Sequence, residues 1–298
     1  MNVIETNSLV YNFGSKPVLN GIDLTVQRGS VFGFLGPNGS GKTTTIRTLL
    51  GLAHVPEKSV MLFGKDIRTH RIEILKNIGS LIEYPALYHH LSGYDNLHIL
   101  CNLTSTPKKR IKELLDLVLL TDDSSKKVSK YSLGMKQRLG IAAALLTDPE
   151  LLILDEPTNG LDPAGVRDMR HLIKTLNQNF GKTIFISSHL LYEVEMICSH
   201  LAILNEGKLV FQGEATELRN KYAKLLLVDT SDNKKSAELI EQQYPVKVTE
   251  DLLEIVVKEE NDAVVISRIL FRNDIDIYRL EPKSQNLEKL FFNLTTND

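Results

Sequence analysis

The sequence predicts an α/β fold built on a parallel sheet, and three observations lead to that prediction. Short apolar segments at 31–35, 151–154 and 183–187 have the character of fully buried strands, because a strand covered on both faces is apolar along its whole length. Segments with helical spacing lie between them, and strands that alternate with helices form parallel sheets covered on both faces. The length of 298 residues allows one large domain and a small one.

Two further segments have a different character. Residues from about 86 to 138 show helical patterns without a good buried strand, and we interpret them as a helical subdomain inserted into the α/β domain, which we place at 1–222. Residues 223–298 are predicted to form a small α+β appendage. Its predicted order is βαββαβ, the ferredoxin-like split βαβ pattern, with strands at 224–228, 246–249, 252–257 and 275–280, helices at 234–243 and 263–271, and a last helix at 285–294.

Composition and charge exclude some classes of function. The formal net charge is −2 and 24% of the residues are charged, which argues against a nucleic-acid binder that depends on a basic surface. Cys101 and Cys198 lie far apart without metal-ligand spacing, so we interpret both as free thiols in a reducing compartment. No apolar run reaches the roughly 18 residues that would span a bilayer. If the protein works at a membrane, another chain is expected to supply the membrane span.

The segment 36–43 fits the pattern G-x-x-x-x-G-K-[ST] at every fixed position. In this pattern glycines let the backbone N–H groups turn toward phosphate oxygens, and the following helix adds its positive end. We expect Lys42 to neutralise the β- and γ-phosphates, Thr43 to ligate Mg²⁺ and Thr44 to bind the α-phosphate. A chance glycine-rich turn is a poor alternative, because the loop lies between a predicted strand and a predicted helix. The sequence therefore predicts a site for ATP with Mg²⁺.

Two acids follow the apolar strand at 151–154. A buried strand holds the residues at its end rigidly at the sheet edge where ligands bind in open α/β sheets. We expect Asp155 to hold Mg²⁺ through water and Glu156 to polarise the attacking water. The alternative is a solvated pair of acids at a helix start. The phosphate-loop pattern more than a hundred residues upstream favours the catalytic interpretation.

The segment 131–138 (Tyr-Ser-Leu-Gly-Met-Lys-Gln-Arg) narrows the class of protein. It resembles the signature motif of ABC ATPases, usually LSGGQ-like, with Ser132 and Gly134 in place. Other landmarks of that family occur in the expected order: a D-loop from Asn159 to Asp162, a switch histidine at His189 and, upstream of the first strands, an adenine-stacking aromatic at Tyr11. Each element alone has an ordinary structural explanation, but the joint order over about residues 1–218 identifies the chain as similar to ABC transporter ATP-binding subunits.

The resemblance implies a P-loop NTPase fold of the ABC type and a mechanism shared between two chains. Two nucleotide-binding domains face head to tail, as a homodimer or a heterodimer with a related ATPase subunit. ATP on the phosphate loop of one is completed by Ser132 and Gly134 of the other, where a helix N-terminus with a hydroxyl stabilises the γ-phosphate. The expected partners are integral membrane permease subunits and no nucleic acid. The expected location is cytoplasmic, peripheral on the inner face of the cell membrane.

Two departures from the family pattern are informative. Glu83 stands where the family usually has a glutamine that contacts Mg²⁺ and the water, and a glutamate brings charge but cannot donate a hydrogen bond. We expect it to support hydrolysis and to couple hydrolysis to the partner, the alternative being a solvated loop acid. Leu133 and Met135 are unusual within the signature. Both departures resemble the bacitracin and lantibiotic export group, which implies export of an antimicrobial peptide or drug.

The predicted site has three sets of residues. The catalytic set is Lys42, Glu83, Glu156 and His189, and the metal ligands are Thr43, Glu83 and Asp155. The predicted nucleotide contacts are Tyr11, Gly36, Pro37, Asn38, Gly39, Ser40, Gly41, Lys42, Thr43, Thr44, Ser132, Gly134 and Asp162.

Other ABC functions fit the sequence less well. A soluble ABC ATPase that acts on ribosomes in antibiotic resistance or translation usually carries two cassettes and a charged linker, whereas this chain has one phosphate loop and one signature. A DNA-repair or chromosome ABC ATPase splits its cassette with a long coiled coil, and no sustained heptads lie between Lys42 and Ser132.

Overall fold

The computed structural model describes residues 1–221, 224–249, 252–257, 259 and 261–283. The chain separates into one unit formed by Met1–Ala215 and a second unit that begins at Thr216.

Up to residue 221 the strands are β1 (Asn2–Thr6), β2 (Leu9–Phe13), β3 (Lys16–Ile22), β4 (Thr25–Gln27), β5 (Val31–Leu35), β6 (Val60–Leu62), β7 (Lys65–Asp66), β8 (Ile78–Leu81), β9 (Leu151–Asp155), β10 (Thr183–Ser188), β11 (His200–Asn205) and β12 (Lys208–Glu214). The helices are α1 (Lys42–Leu49), α2 (Ile67–Leu75), α3 (Gly93–Thr104), α4 (Lys109–Leu117), α5 (Leu133–Ala144), α6 (Pro163–Gln178), α7 (Leu191–Glu195) and α8 (Ala215–Lys221).

The central sheet of the first unit has the strand order β12-β11-β5-β10-β9-β8. Strands β8, β9, β10, β5 and β11 run parallel, and β12 is an antiparallel strand at one edge. The three strands predicted from apolar runs are confirmed, and every residue of β5, β9 and β10 is buried. Because parallel strands end at the same edge, the loops after β5, β8, β9 and β10 meet there.

A hydrophobic core joins this sheet to smaller antiparallel elements that were not predicted from the sequence. These elements are a sheet of order β4-β1-β6-β7 and the hairpin β2-β3. Within the core, the rings of Phe32 and Phe185 stack with centroids 5.8 Å apart. Helix α1 buries Ile46 and Leu49 in the same cluster. The apolar face of α1 therefore fixes the helix directly beyond the end of β5.

The segment between β8 and β9 is mainly helical and contains α3, α4 and α5. Ser92 and Ser132 cap α3 and α5, each accepting a hydrogen bond from the backbone N–H three residues later. Helix α5 packs closely on β8, since a Cβ built on Gly79 would lie 2.2 Å from the carbonyl oxygen of Ala144. The C-terminal end of α5 is thus held against β8 by a contact that leaves no room for a side chain.

The second unit contains β13 (Lys224–Thr230), α9 (Asn233–Ile240), β14 (Val246–Val248), β15 (Leu253–Val257), α10 (Asn261–Arg272) and β16 (Ile277–Lys283). Its sheet has the order β14-β15-β13-β16 with antiparallel pairing between neighbours. Leu226, Val228 and Ile255 on the strands pack in one cluster with Ile266 and Leu270 of α10. The helix predicted at 285–294 lies outside the described residues.

Helix α6 is a long amphipathic helix of 16 residues in the first unit. Within the described residues, no helix combines the length and the apolar character that a bilayer span requires.

We predict that Gly79→Ala destabilises the first unit by about 1–3 kcal/mol, because the added methyl group overlaps backbone rather than a movable side chain. Urea unfolding followed by circular dichroism measures the change. Ser80→Ala is the matched control, since Ser80 is exposed on the same strand, and we expect a change within about 0.5 kcal/mol. Equal stability of the two variants would contradict the prediction.

Candidate functional site

The loop between β5 and α1 has a backbone that only glycine allows at several points. Gly39 and Gly41 have φ values of 82° and 113°, in the left-handed region that other residues rarely adopt. A Cβ on Gly36 would lie 2.4 Å from Ser40 Oγ and 2.5 Å from the carbonyl oxygen of Leu204. Gly41 precedes α1, whose first N–H groups have no partners inside the helix. The loop therefore has the form of an anion-binding cradle.

Lys42 is buried at the start of α1 and is held by oxygen atoms from two segments. Its Nζ donates to the carbonyl oxygens of Gly36 at 2.8 Å and Pro37 at 3.3 Å. It also lies 3.3 Å from Glu156 Oε1. A buried ammonium needs such partners, because an unpaired charge is costly away from water. The lysine thus joins the phosphate loop to the acids that follow β9.

Asp155 ends β9 and is buried beside α1. Its carboxylate accepts hydrogen bonds from Thr43 Oγ1 at 3.1 Å and from Ser187 Oγ. Burial has the largest influence on the pKa of Asp155 and raises it, and the charge of Glu156 also raises it. The hydrogen bonds from Ser187 and Thr43 and the charge of Lys42 lower the pKa, but the net shift is upward. Ser187 was not predicted as a site residue, because its contact with Asp155 depends on the pairing of β10 with β9 and not on a motif in the sequence.

Ser187, which binds the Asp155 carboxylate, also supports the strained backbone of Glu156. The φ of Glu156 is 49°, and its N–H donates to Ser187 Oγ at 2.9 Å. The Glu156 carboxylate lies between Lys42 on one side and His189 on the other, with 2.8 Å between His189 Nδ1 and Glu156 Oε2. A carboxylate held in this way by two neighbours can accept a proton from a water at a fixed position.

A cavity of about 350 Å³ lies in front of these groups. Its volume suits a small ligand. Ser40 Oγ is buried and has no hydrogen-bond partner in the part of the chain that the structure describes. The loop amides and Lys42 supply donors for phosphate, and the hydroxyl and carboxylate oxygens of Thr43 and Asp155 are ligands that Mg²⁺ prefers. The lining residues are Val18, Asn38, Gly39, Gly41, Lys42, Thr43, Thr44, Glu156, Asn159 and His189. Val18 was not predicted, and Asn159 was predicted only as the first residue of the D-loop.

The predicted signature and D-loop residues lie in a separate cavity of about 370 Å³. Ser132 and Gly134 from the start of α5 line it together with Asp162. Asp162 caps α6 by accepting a hydrogen bond from the N–H of Gly165. Within one chain, the structure therefore brings these three residues together, but at a different cavity from that of the phosphate loop.

Tyr11 and Glu83 lie outside the set of residues that line the phosphate-loop cavity. Tyr11 is half-buried on the β2-β3 hairpin, opposite Leu19, and packs against the core. Glu83 is exposed after β8 with a φ of 56°, and its carboxylate binds Arg47 at 2.8 Å. Of the predicted metal ligands, the structure thus brings Thr43 and Asp155 together, and Glu83 faces Arg47.

The glycine cradle with its buried lysine, the strand-end carboxylates and the histidine define the site of a P-loop ATPase. The family model described as ABC transporter matches residues 19–159. The bacitracin transport ATP-binding protein BcrA of Bacillus licheniformis is 40% identical over 98% of this chain and 97% of its own length. The lantibiotic transport ATP-binding protein SrtF of Streptococcus pyogenes is 39% identical over 71% of this chain and 91% of its own.

A solved structure leads to the same family. CbiO1 from Clostridium perfringens, part of the ABC transporter complex cbiONQ, superposes with a TM-score of 0.68 and 29% identity, over 73% of this chain and 90% of that one. The chain belongs to the ATP-binding subunits of ABC transporters. It binds ATP and is an ATPase whose hydrolysis is coupled to transport.

We predict that Ser187→Ala shifts the acid limb of the ATPase pH profile to higher pH. The Ser187 hydrogen bond lowers the pKa of Asp155, so its loss raises that pKa further, and Asp155 is protonated over a wider range of pH. We also expect the plateau value of kcat/KM to fall about tenfold, because a hydrogen bond to a charged group is lost. The measurement is kcat/KM for ATP as a function of pH.

Ser188→Ala is the control for this experiment. Its hydroxyl bonds within the Ser188–Leu190 turn and not to Asp155, so the acid limb should keep its position. An unshifted limb in Ser187→Ala, or the same shift in both variants, would contradict the prediction.

Proposed function

We propose that this chain drives export of an antimicrobial peptide or related drug through separate membrane permease chains, from the cytoplasmic face of the cell membrane. The observation that carries the proposal is the similarity along nearly the whole chain to a bacitracin transport ATP-binding protein. The lantibiotic transport relative and the glutamate at position 83 favour the same class of substrate.

In the proposed mechanism, Lys42 leaves its ion pair with Glu156 and binds phosphate oxygens instead. The 3.3 Å pair that it forms with Glu156 breaks when an anion enters the cradle, and the glutamate becomes available to the attacking water. His189, 2.8 Å from the other carboxylate oxygen, keeps Glu156 oriented while it accepts the proton. The pair therefore couples occupation of the loop to activation of the water.

Thr43 and Asp155 would hold Mg²⁺, with Glu83 joining them from the neighbouring strand end. The cation, when bound, offsets the negative charge on the phosphate oxygens. The support for this assignment is the direct contact between the Thr43 hydroxyl and the Asp155 carboxylate. Asp155 itself is kept in place by Ser187.

Tyr11 is proposed to stack on the adenine ring. It pairs with Leu19 across the β2-β3 hairpin, and Leu19 follows Val18, which lines the phosphate-loop cavity. The hairpin therefore carries an aromatic side chain close to the residue that borders the cavity.

We propose that two chains complete each ATP site. Ser132, Gly134 and Asp162 line a cavity that shares no lining residue with the phosphate-loop cavity. The N-terminus of α5 offers a hydroxyl and free N–H groups, which suit the γ-phosphate of a nucleotide bound to a second chain. ATP would thus act as the bridging ligand of a homodimer or of a heterodimer with a related subunit.

We also propose a division of the chain into domains. We propose that the nucleotide-binding domain spans 1–222, with a helical subdomain at about 86–138, and that 223–298 form a ferredoxin-like accessory domain. The strand order β14-β15-β13-β16 with antiparallel neighbours supports the ferredoxin-like arrangement, as does the packing of α9 and α10 residues in its core.

We predict that tagged Glu156→Gln, extracted from its native membranes in detergent with Mg-ATP, forms a stable dimer and retains small polytopic membrane proteins. Removing the carboxylate stops the water from being activated, so the ATP-bound state accumulates. Size-exclusion chromatography with light scattering reports the dimer, and mass spectrometry identifies the retained proteins.

The matched control is the double variant Glu156→Gln with Ser132→Arg. The bulk of an arginine side chain at the start of α5 fills the space proposed for the second nucleotide, so the double variant should remain monomeric with ATP. Recovery of the single variant with ribosomes and without membrane proteins would overturn the proposed transport role. A dimer that forms equally well in the double variant would overturn the shared site.

A further inference from the structure

Strand register places Glu83 and the acids at the end of β9 at neighbouring strand ends. Strands β8 and β9 are parallel neighbours in which Leu81 is paired with Leu154. Asp155 directly follows Leu154, and Glu83 comes two residues after Leu81. Both carboxylates therefore belong to adjacent strand ends on one edge of the sheet.

One side of α1 contacts both strand ends. Thr43 and Arg47 are four residues apart, so their side chains lie on the same face of the helix. Thr43 donates to Asp155 at 3.1 Å, and Arg47 Nη2 donates to Glu83 Oε1 at 2.8 Å. The helix that starts at the phosphate loop thus binds the carboxylate after β8 as well as the one that ends β9.

The ion pair exists because this position is a glutamate. A glutamine side chain would offer Arg47 a neutral carbonyl oxygen, which makes a weaker hydrogen bond than a carboxylate does. The side chains of Arg47 and Glu83 are 53% and 55% exposed, and the Glu83 carboxylate lies against the helix through its contact with Arg47. In this conformation Glu83 is not among the residues lining the phosphate-loop cavity.

We propose that Arg47 is a positioning residue that keeps the Glu83 carboxylate outside the nucleotide cavity until a divalent cation at the phosphate loop competes for it. The inference rests on the proposed role of Glu83 in metal binding and hydrolysis. A carboxylate that neutralises a guanidinium offers less charge to a metal ion, so the pair lowers the affinity of the site for the cation. Entry of Glu83 into the site then requires its release from Arg47.

The test measures binding of Mn²⁺, as a probe for Mg²⁺, to the ADP-bound chain by electron paramagnetic resonance. Arg47→Gln should bind Mn²⁺ more tightly than wild type at low salt. Part of that gain arises because removing the positive charge of Arg47 reduces its repulsion of Mn²⁺. Arg47→Gln in a Glu83→Gln background measures this part alone, since no ion pair is present there. We expect the gain in the wild-type background to exceed the gain in the Glu83→Gln background by about two- to five-fold, the scale of an exposed ion pair.

Salt and a conservative variant separate this role from a structural one. The excess gain should shrink at about 1 M salt, where the Debye length falls to about 3 Å. Arg47→Lys keeps the charge and should resemble wild type at low salt. Thermal unfolding of the four variants checks that the exposed substitutions leave the fold intact.

The outcomes distinguish the inference from the proposed function. If Glu83→Gln weakens Mn²⁺ binding but Arg47→Gln gives equal gains in both backgrounds, the positioning role of Arg47 is overturned and the role of Glu83 stands. If Glu83→Gln changes neither Mn²⁺ affinity nor the ATPase rate, the role of Glu83 is wrong and the inference fails with it. An excess gain that is insensitive to salt would also overturn the inference.

Discussion

The parallel register of three buried strands is the constraint on which the site depends. Phe32 on β5 pairs with Phe185 on β10, which in turn pairs with Ile153 on β9. These residues are fully or almost fully buried, and burial of apolar surface contributes about 25 cal/mol per Å². A shift by one residue would exchange the side chains of the two buried faces, so the close packing of each face specifies the register. Because the strand ends are aligned, the phosphate loop, the acids and the histidine that follow them lie at one edge of the sheet.

At this edge of the sheet the buried lysine faces two carboxylates. Lys42 is one buried cation beside the carboxylates of Asp155 and Glu156, and burial raises the pKa of Asp155. A nucleotide adds further negative charge to a region that already contains two acids. Its binding is therefore favoured together with a divalent cation, because the cation offsets both the phosphate charge and the carboxylate charge. The site chemistry fits Mg-ATP better than ATP alone.

Contiguous motifs explain which parts of the site could be predicted from the sequence. The phosphate loop and the Asp155–Glu156 pair each occupy a few consecutive residues, and the structure brings Lys42, Thr43, Asp155, Glu156 and His189 together. Ser187 and Val18 were missed because their contacts follow from strand pairing and loop packing, which no local pattern specifies, and Asn159 was predicted only as part of the D-loop.

The fold shows the same division between local and tertiary information. Continuous apolar runs predicted β5, β9 and β10 well, since length and composition suffice for a strand buried on both faces. Strands β1, β2 and β3 were not predicted, because partly exposed strands such as β2 and β3 have no continuous apolar run. The antiparallel direction of β12 depends on a turn and on its partner β11, and its own residues do not specify it.

Helix α1 connects these features, since its two basic side chains engage acids on different strands. Lys42 contacts Glu156 after β9, and Arg47 contacts Glu83 after β8. Both glutamates have a positive φ, at 49° and 56°, and such conformations persist only where neighbouring groups support them. In the proposed mechanism, phosphate competes with Glu156 for Lys42, and a metal ion competes with Arg47 for Glu83. Lys42 exchanges Glu156 for phosphate and Glu83 exchanges Arg47 for the cation, while Glu156 keeps His189, 2.8 Å away, as its partner when it turns to the water. Under this proposal, nucleotide binding redirects both carboxylates without moving the buried strands that carry them.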